Sequence, residues 1–232
     1  MSTKRFRGLF ITGTDTGVGK TYVAAIIARS LRRAGRRVGV YKPAASGCRF
    51  DGAELISDDA LALWEAAGRP GSLDEVCPQR FLAPLAPHLA ARAEGRRIDR
   101  EQLRRGLDVW TARSDIVLVE GAGGLMSPLG ESDYVADLAG DVGFPLIVVA
   151  RNALGTINHT LLTLHAAATF RGGLPVAGIV LNRPLAPSDD ASTGSNREEL
   201  QARASAPLLA EVGWQAESTD ADVDWYALAA VR

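Results

Sequence analysis

The stretch FITGTDTGVGKTYVAA, residues 10–25, begins as an apolar run, crosses three glycines and ends in an alanine-rich helical pattern. A strict phosphate-binding loop reads G-x-x-x-x-G-K-[ST] between a strand and a helix. Here Gly19, Lys20 and Thr21 supply its end, while Gly13 stands one place early and Thr14 occupies the first glycine's position. The physical requirement survives the departure. The loop leaves a strand, opens a helix and can turn successive backbone N–H groups toward an anion at the positive helix end. On this reading Lys20 reaches terminal phosphates and the Thr21 hydroxyl ligates Mg²⁺.

Outward from that loop, strand-like and helix-like segments alternate, which predicts an α/β fold: one doubly wound, mainly parallel sheet, P-loop NTPase-like, spanning 1–232 as a single domain. Continuous apolar runs at 8–13, 37–42, 115–121, 145–150 and 176–182 suit strands covered on both faces. Helices are expected over 19–34, 57–67, 99–112, 133–140, 156–171 and 196–206. Ser57 or Asp58 can cap the second, and Asp99 with Gln102 fits a capping box for the third. The polar stretch 188–199 reads as a surface loop or a mobile segment. In such sheets ligands bind beyond the carboxyl ends of the strands.

Composition narrows the classes. The 232 residues include 26 Lys plus Arg against 27 Asp plus Glu, so no net basicity points to nucleic acid. A 47% hydrophobic and 23% charged composition is that of a globular protein. No apolar run reaches a membrane span, and the basic N-terminus lacks an apolar signal region, so a cytoplasmic protein is expected. Cys48 and Cys77 have neither a CxxC spacing nor a clustered histidine, and read as reduced thiols.

Candidate site residues follow from strand ends. Glu120 closes the run DIVLVE, where its carboxylate projects to the carboxyl edge of the sheet, and Gly121, Gly123 and Gly124 permit close backbone approach. Asp59 is a second carboxylate for Mg²⁺, though a plain helix-start charge is the alternative. Lys42 ends RVGVYK and could set a second cation on an anionic transition state; taken alone, a solvated lysine reads equally well.

Together these stretches resemble the dethiobiotin synthetases, ATP-dependent enzymes that close the ureido ring of biotin's precursor. The matching strings are TGTDTGVGKT (12–21), GVYKPAASG (39–47), DDALAL (58–63), APHLAARAEGRRID (86–99), VLVEGAGGLMSPL (117–129), LGTINHTLLT (154–163), GIVLN (178–182) and APLLAEVGW (206–214), in order along nearly the whole chain. The resemblance implies that 7,8-diaminononanoate, CO2 and ATP combine through a carbamate and a carbamic-phosphoric anhydride. Gly17, Val18, Gly19, Lys20, Thr21 and Tyr22 would wrap the phosphates, with Thr21, Asp59 and Glu120 around Mg²⁺. Lys20 and Lys42 would neutralise charge, and Thr16 and Ser46 would contact the diamine. Glu120, Gly121, Ala122 and Gly123 would help hold nucleotide and substrate. Asn182 and Arg183, with Gly213, Trp214 and Gln215, would read the base, although EVGWQAE (211–217) departs from the Pro-Trp-Leu common there. Leu154, Gly155, Thr156 and Asn158 would bind the substrate carboxylate from the other subunit of a homodimer. His88, His159 and His165 read as core or interface histidines.

Two rivals share parts of the pattern. Partition and division-site ATPases carry an extra lysine five places before the Gly-Lys-Thr lysine, where this chain has Asp15. The C-terminal DADVDWYALAAVR also lacks a basic amphipathic face for membrane or DNA. Amide synthetases of the cobalamin pathway have a similar loop but usually need a glutaminase domain for which this length has no room.

Overall fold

The computed structural model describes residues 7–186 and 189–229. The basic start of the chain (1–6), positions 187 and 188 in and beside the polar stretch, and positions 230–232 of the C-terminal segment lie outside the described residues.

In chain order the strands are β1 Gly8–Gly13, β2 Val38–Tyr41, β3 Ala44–Ala45, β4 Arg49–Asp51, β5 Glu54–Ile56, β6 Gln79–Arg80, β7 Ile116–Gly124, β8 Leu146–Arg151, β9 Val176–Asn182 and β10 Leu208–Val212. The helices are α1 Lys20–Arg33, α2 Asp58–Ala66, α3 Leu73–Val76, α4 Pro87–Ala93, α5 Arg100–Arg105, α6 Asp108–Arg113, α7 Val135–Val142, α8 Thr156–Thr169, α9 Asn196–Arg203 and α10 Trp225–Leu228. Among the described residues no helix is long and apolar enough to cross a membrane.

A parallel six-stranded sheet runs in the order β10-β9-β8-β1-β7-β2. Every residue of β1 and of β2 is buried, as continuous apolar runs require of strands with both faces covered. From β1 the chain crosses to β2 at one edge, returns with β7 to the gap between them, then continues on the other side of β1 with β8 and β9. The direction of winding therefore reverses at β1, which puts a crevice beyond its carboxyl end.

Several sequence expectations change. The helix expected over 99–112 is two helices, α5 and α6, separated at Gly106 and Leu107. Gly106 lies against the Tyr41 hydroxyl, whose single proton is shared between the carbonyls of Gln102 and Leu103 at 2.9 and 3.1 Å; the Gln102 carbonyl keeps its helical bond from the Gly106 N–H at 3.0 Å, but the Leu107 N–H turns to the Arg104 carbonyl at 3.3 Å instead of continuing the helix to Leu103. At the start of α5, Asp99 caps the Gln102 N–H at 2.9 Å, but its own N–H donates to Gln79 Oε1 rather than to Gln102, so half of the capping box is supplied from β6. The stretch read as a surface loop or mobile segment, 188–199, contains a 3₁₀ turn at Ala191–Gly194, and the helix expected over 196–206 begins at Asn196 as α9. An edge strand, β10, and the small pairings β3 with β6 and β4 with β5 are additional. Ser57 caps α2 as expected, accepting from the Ala60 N–H at 3.2 Å.

Candidate active site

The loop between β1 and α1 takes the form its glycines allow. Gly19 is the residue at the head of α1, with φ 88°, and no side chain caps that helix. No acidic residue occupies the first turn of α1 either, so its free N–H groups face the crevice without a competing anion. Asn182, at the end of β9, braces the loop from behind, donating from Nδ2 to the Val18 carbonyl at 2.8 Å.

The side chains predicted from distant parts of the sequence converge here. Lys42, directly after β2, lies 2.6 Å from Glu120 Oε1 and 2.9 Å from Asp59 Oδ2. Thr21 donates to the same Glu120 oxygen at 2.8 Å. Glu120 does not end its strand as expected: β7 continues to Gly124, with a register shift against β1 between Ile11 and Gly13. There Ile11 faces Glu120 and Gly13 faces Gly124, so the extra residues of β7 bulge between them beside the carboxylate.

The lysines have opposite electrostatics. Burial lowers the pKa of both, but for Lys42 the charges of Glu120 and Asp59 more than offset it, and its ammonium is held above the usual lysine range. Burial also pushes the Asp59 carboxyl up, and the Lys42 charge reverses this to leave it below the ordinary value. Among the described residues Lys20 donates to the Asp15 carbonyl alone, at 3.1 Å, and burial keeps its pKa below 10.5.

A lysine with a folded pKa below its unfolded value costs stability at neutral pH, and that cost is relieved as pH rises through the folded value toward 10.5. Lys20→Met is therefore expected to raise the thermal midpoint of the nucleotide-free protein at pH 7 by a few degrees while ATP turnover is lost. Calorimetry showing a lowered midpoint would contradict this electrostatic reading.

A cleft of about 850 Å³ opens over the cluster, and Thr16, Gly17, Gly19, Lys20, Thr21, Tyr22, Lys42, Ser46, Asp59, Glu120, Ala122 and Gly123 all line it. Val18 is buried beneath the loop, and Gly121 packs against Phe10 and Val135. Asn182 and Arg183 reach the same edge of the sheet, next to the loop after β10, where Arg183 N–H bonds the Val212 carbonyl at 2.9 Å. That loop holds Gly213, the exposed Trp214 and Gln215, and the Tyr22 hydroxyl ties it to α1 through the Ala216 carbonyl at 2.8 Å. Leu154, Gly155, Thr156 and Asn158 do not line the cleft of their own chain.

Arg29 and Glu65 also line the cleft and were not anticipated. Their signal is periodicity: Tyr22, Ala25 and Arg29 share one face of α1, and Ala62, Glu65 and Ala66 one face of α2.

The donor set suits a hard cation. Among the described residues no cluster of three His, Cys, Asp or Glu is present, but two carboxylates and a hydroxyl stand beside a phosphate loop, which is how Mg²⁺ is usually held. Glu120 Oε2 is buried with no hydrogen-bond partner, an acceptor left open toward such an ion.

Comparison with known proteins agrees with this geometry. A family model described as an AAA domain matches residues 7–222. The ATP-dependent dethiobiotin synthetase BioD of Rhodopirellula baltica is 46% identical over 215 residues, covering 88% of this chain and 82% of that protein. The synthetase of the same name from Anaeromyxobacter dehalogenans strain 2CP-C is 47% identical over 211 residues, covering 90% and 91%. Among solved structures, the ParA family ATPase from Chlorobium tepidum TLS superposes with a TM-score of 0.55 at 16% identity, over 90% of this chain and 85% of that one. The septum site-determining protein MinD complexed with Mg-ADP from Pyrococcus horikoshii OT3 gives 0.54 at 19% identity, over 90% and 81%. These two show the fold alone; the two synthetases match at 46% and 47% identity along most of the chain, and the chain belongs to the ATP-dependent dethiobiotin synthetase family.

Proposed function

We propose that the chain is a dethiobiotin synthase, an ATP-dependent ligase that carboxylates 7,8-diaminononanoate with CO2 and closes the ureido ring, releasing ADP and phosphate. The observation that carries this reading is Lys42, buried and charged between Glu120 and Asp59 at the mouth of the phosphate loop. A second buried cation suits a reaction that must bring two anions together, a carbamate and a terminal phosphate.

One amine of the diamine takes up CO2 as a carbamate, whose oxygen attacks the γ-phosphorus of ATP as ADP departs. The second amine then attacks the carbonyl carbon of the resulting anhydride, phosphate leaves, and the cyclic urea forms. No protein nucleophile is required. Lys20 and Lys42 draw the two anions within reach, while Thr16 and Ser46 orient the diamine. Thr21, Asp59 and Glu120 would hold Mg²⁺, which when bound neutralises charge across the phosphates.

A homodimer completes the site in this reading. The N-terminus of α8 opens at Gly155 with φ 92°, and Thr156 Oγ1 is buried without a partner, which suits a carboxylate receptor. Because that segment lies outside its own chain's cleft, it would serve the cleft of a second copy.

Asn182 supports a base-reading role: its Nδ2 is engaged by Val18, while its buried Oδ1 is free to accept from an adenine amino group. Asn182→Ala is expected to raise KM for ATP about tenfold, the effect of losing one or two hydrogen bonds at a buried position, with kcat nearly unchanged. Steady-state kinetics with ATP varied would show it.

The direct test is phosphate release from Mg-ATP and bicarbonate, with and without 7,8-diaminononanoate, alongside mass spectrometry for the cyclic urea. Diamine-dependent release with dethiobiotin formed is the expected result. ATP hydrolysis that ignores the diamine would overturn the reading.

A further inference from the structure

At the opposite end of the sheet, the ends of α1 and α6 and the start of β2 border a cavity of about 290 Å³ that is open to solvent on one side. Val38 begins β2 here, and Lys42 follows its end, so the cavity lies roughly 13 Å from the catalytic cleft along one strand.

Four arginines line this cavity: Arg32, Arg36, Arg37 and Arg113. Two are neutralised, Arg37 by Asp115 at 2.7 Å and Arg113 by Glu75 at 2.8 Å. Among the described residues no carboxylate pairs with the other two. Arg32 donates to the Ala66 carbonyl at 3.4 Å, and Arg36 stacks over the Tyr226 ring at 4.0 Å. Both guanidinium groups are thus positioned without an ion-pair contact, Arg36 feeling only the more distant charge of Asp115, which Arg37 already holds. The buried Trp110 forms part of the wall, and its indole N–H has no acceptor in the protein.

The chain as a whole has a formal charge of −1, so this local excess is not a general basicity. Basic residues in the last turn of α1 do complement its macrodipole, which accounts for Arg32. It does not account for Arg36, which lies beyond the helix, or for the gathering of four exposed arginines along the rim of one pocket.

We propose that this cavity is a binding site for a compact phosphate-bearing anion, separate from the nucleotide cleft. A phosphate monoester carries a charge of about −1.5 to −2 at pH 7, which matches two uncompensated guanidinium groups better than a monocarboxylate does. Guanidinium forks also take phosphate oxygens in pairs. The cavity is larger than a bare phosphate ion and leaves space for a small organic portion against Trp110 and Pro70.

The test uses the full chain with its catalytic cleft saturated by a non-hydrolysable ATP analogue, so that the phosphate loop cannot take the probe. Pyrophosphate is titrated calorimetrically into wild type and into the double variant Arg32→Gln, Arg36→Gln. The expected result is saturable binding that weakens at least tenfold in the variant, while affinity for the ATP analogue is unchanged. Phenylglyoxal modification of the unaltered protein, mapped by mass spectrometry, should show pyrophosphate protecting Arg32 and Arg36. No binding once the cleft is filled, equal binding by the variant, or unprotected arginines would each overturn the proposal. Malonate binding as tightly as pyrophosphate would overturn the assignment to phosphate.

Discussion

Replacing Lys42 with alanine is expected to lower diamine-dependent phosphate release on the order of 10²–10³-fold, the effect of removing one preorganised charge from a developing anion. KM for ATP should change far less, because Lys20 and the loop N–H groups remain. The substitution also acts on the fold. Lys42 and Glu120 are 5% and 1% exposed, and alanine leaves Glu120 with the Thr21 hydroxyl as its hydrogen-bond donor and only the more distant charge of Lys20, among the described residues, to balance its own. Stranding one member of a buried pair costs roughly 3–5 kcal/mol, so part of the lost activity could come from unfolding. Adding Glu120→Gln to Lys42→Ala isolates the second effect: the thermal midpoint should recover, because no uncompensated carboxylate is left buried, whereas turnover is read in Lys42→Ala alone, since Glu120 belongs to the proposed Mg²⁺ site. Activity within tenfold of wild type in folded Lys42→Ala protein would remove Lys42 from the chemistry. The pH dependence points the same way. Glu120 and Asp59 hold the Lys42 pKa above 10.5 despite its burial, so its stabilising charge is present below that value and lost only as pH rises through the folded one. An alkaline limb in kcat/KM below that range is therefore not the titration of Lys42.

Gly19→Ala is expected to weaken ATP binding at least a hundredfold, measured by titration with a fluorescent analogue. The residue sits at φ 88°, where an L side chain is strained by about 1–3 kcal/mol. Space is also missing: a Cβ built at Gly19 overlaps Asn182 Nδ2, the atom that fixes the Val18 carbonyl. Relief requires either the loop to turn its N–H groups away from the phosphates or Asn182 to release the loop, and both act on nucleotide affinity. Gly17 provides the contrast. It has φ 73° but nothing within 4 Å of a built Cβ, so Gly17→Ala carries the backbone strain without the collision and should be milder. Equal losses at the two positions would mean that the collision with Asn182 contributes nothing.

The elements that were legible in the sequence are those whose signal is local. β1 and β9 begin and end where their apolar runs do, because glycine and asparagine bound runs that are covered on both faces. Thr21, Lys42, Asp59 and Glu120 could be placed at one edge of the sheet from sequence because Lys42 follows β2, Glu120 lies in β7, and Thr21 and Asp59 stand in the first turns of α1 and α2. The ion pairing among them was not, since Lys42 and Glu120 lie 78 residues apart and no local pattern encodes their contact. The break in the helix after α5 was hidden for the same reason: it depends on Tyr41, a residue of β2. β10 escaped notice because an edge strand is only half covered, and LLAEV is short, partly exposed and partly polar. Asp99 shows an intermediate case, where sequence identified the cap but Gln79 took the reciprocal bond.

The strand order also governs how the protein comes into being. β1 and β2 are made first, yet they are not neighbours; the place between them stays vacant until β7 has been synthesised. Thr21 must then find Glu120 across 99 residues of chain. Loop closure over such separations makes assembly slow relative to helix formation. A ribosome-bound fragment ending before β7 thus carries the complete phosphate loop but neither a partner strand for β2 nor the carboxylate that Lys42 and Thr21 share. Nucleotide can therefore act as a late folding ligand, favouring only chains in which the central strand has already been inserted.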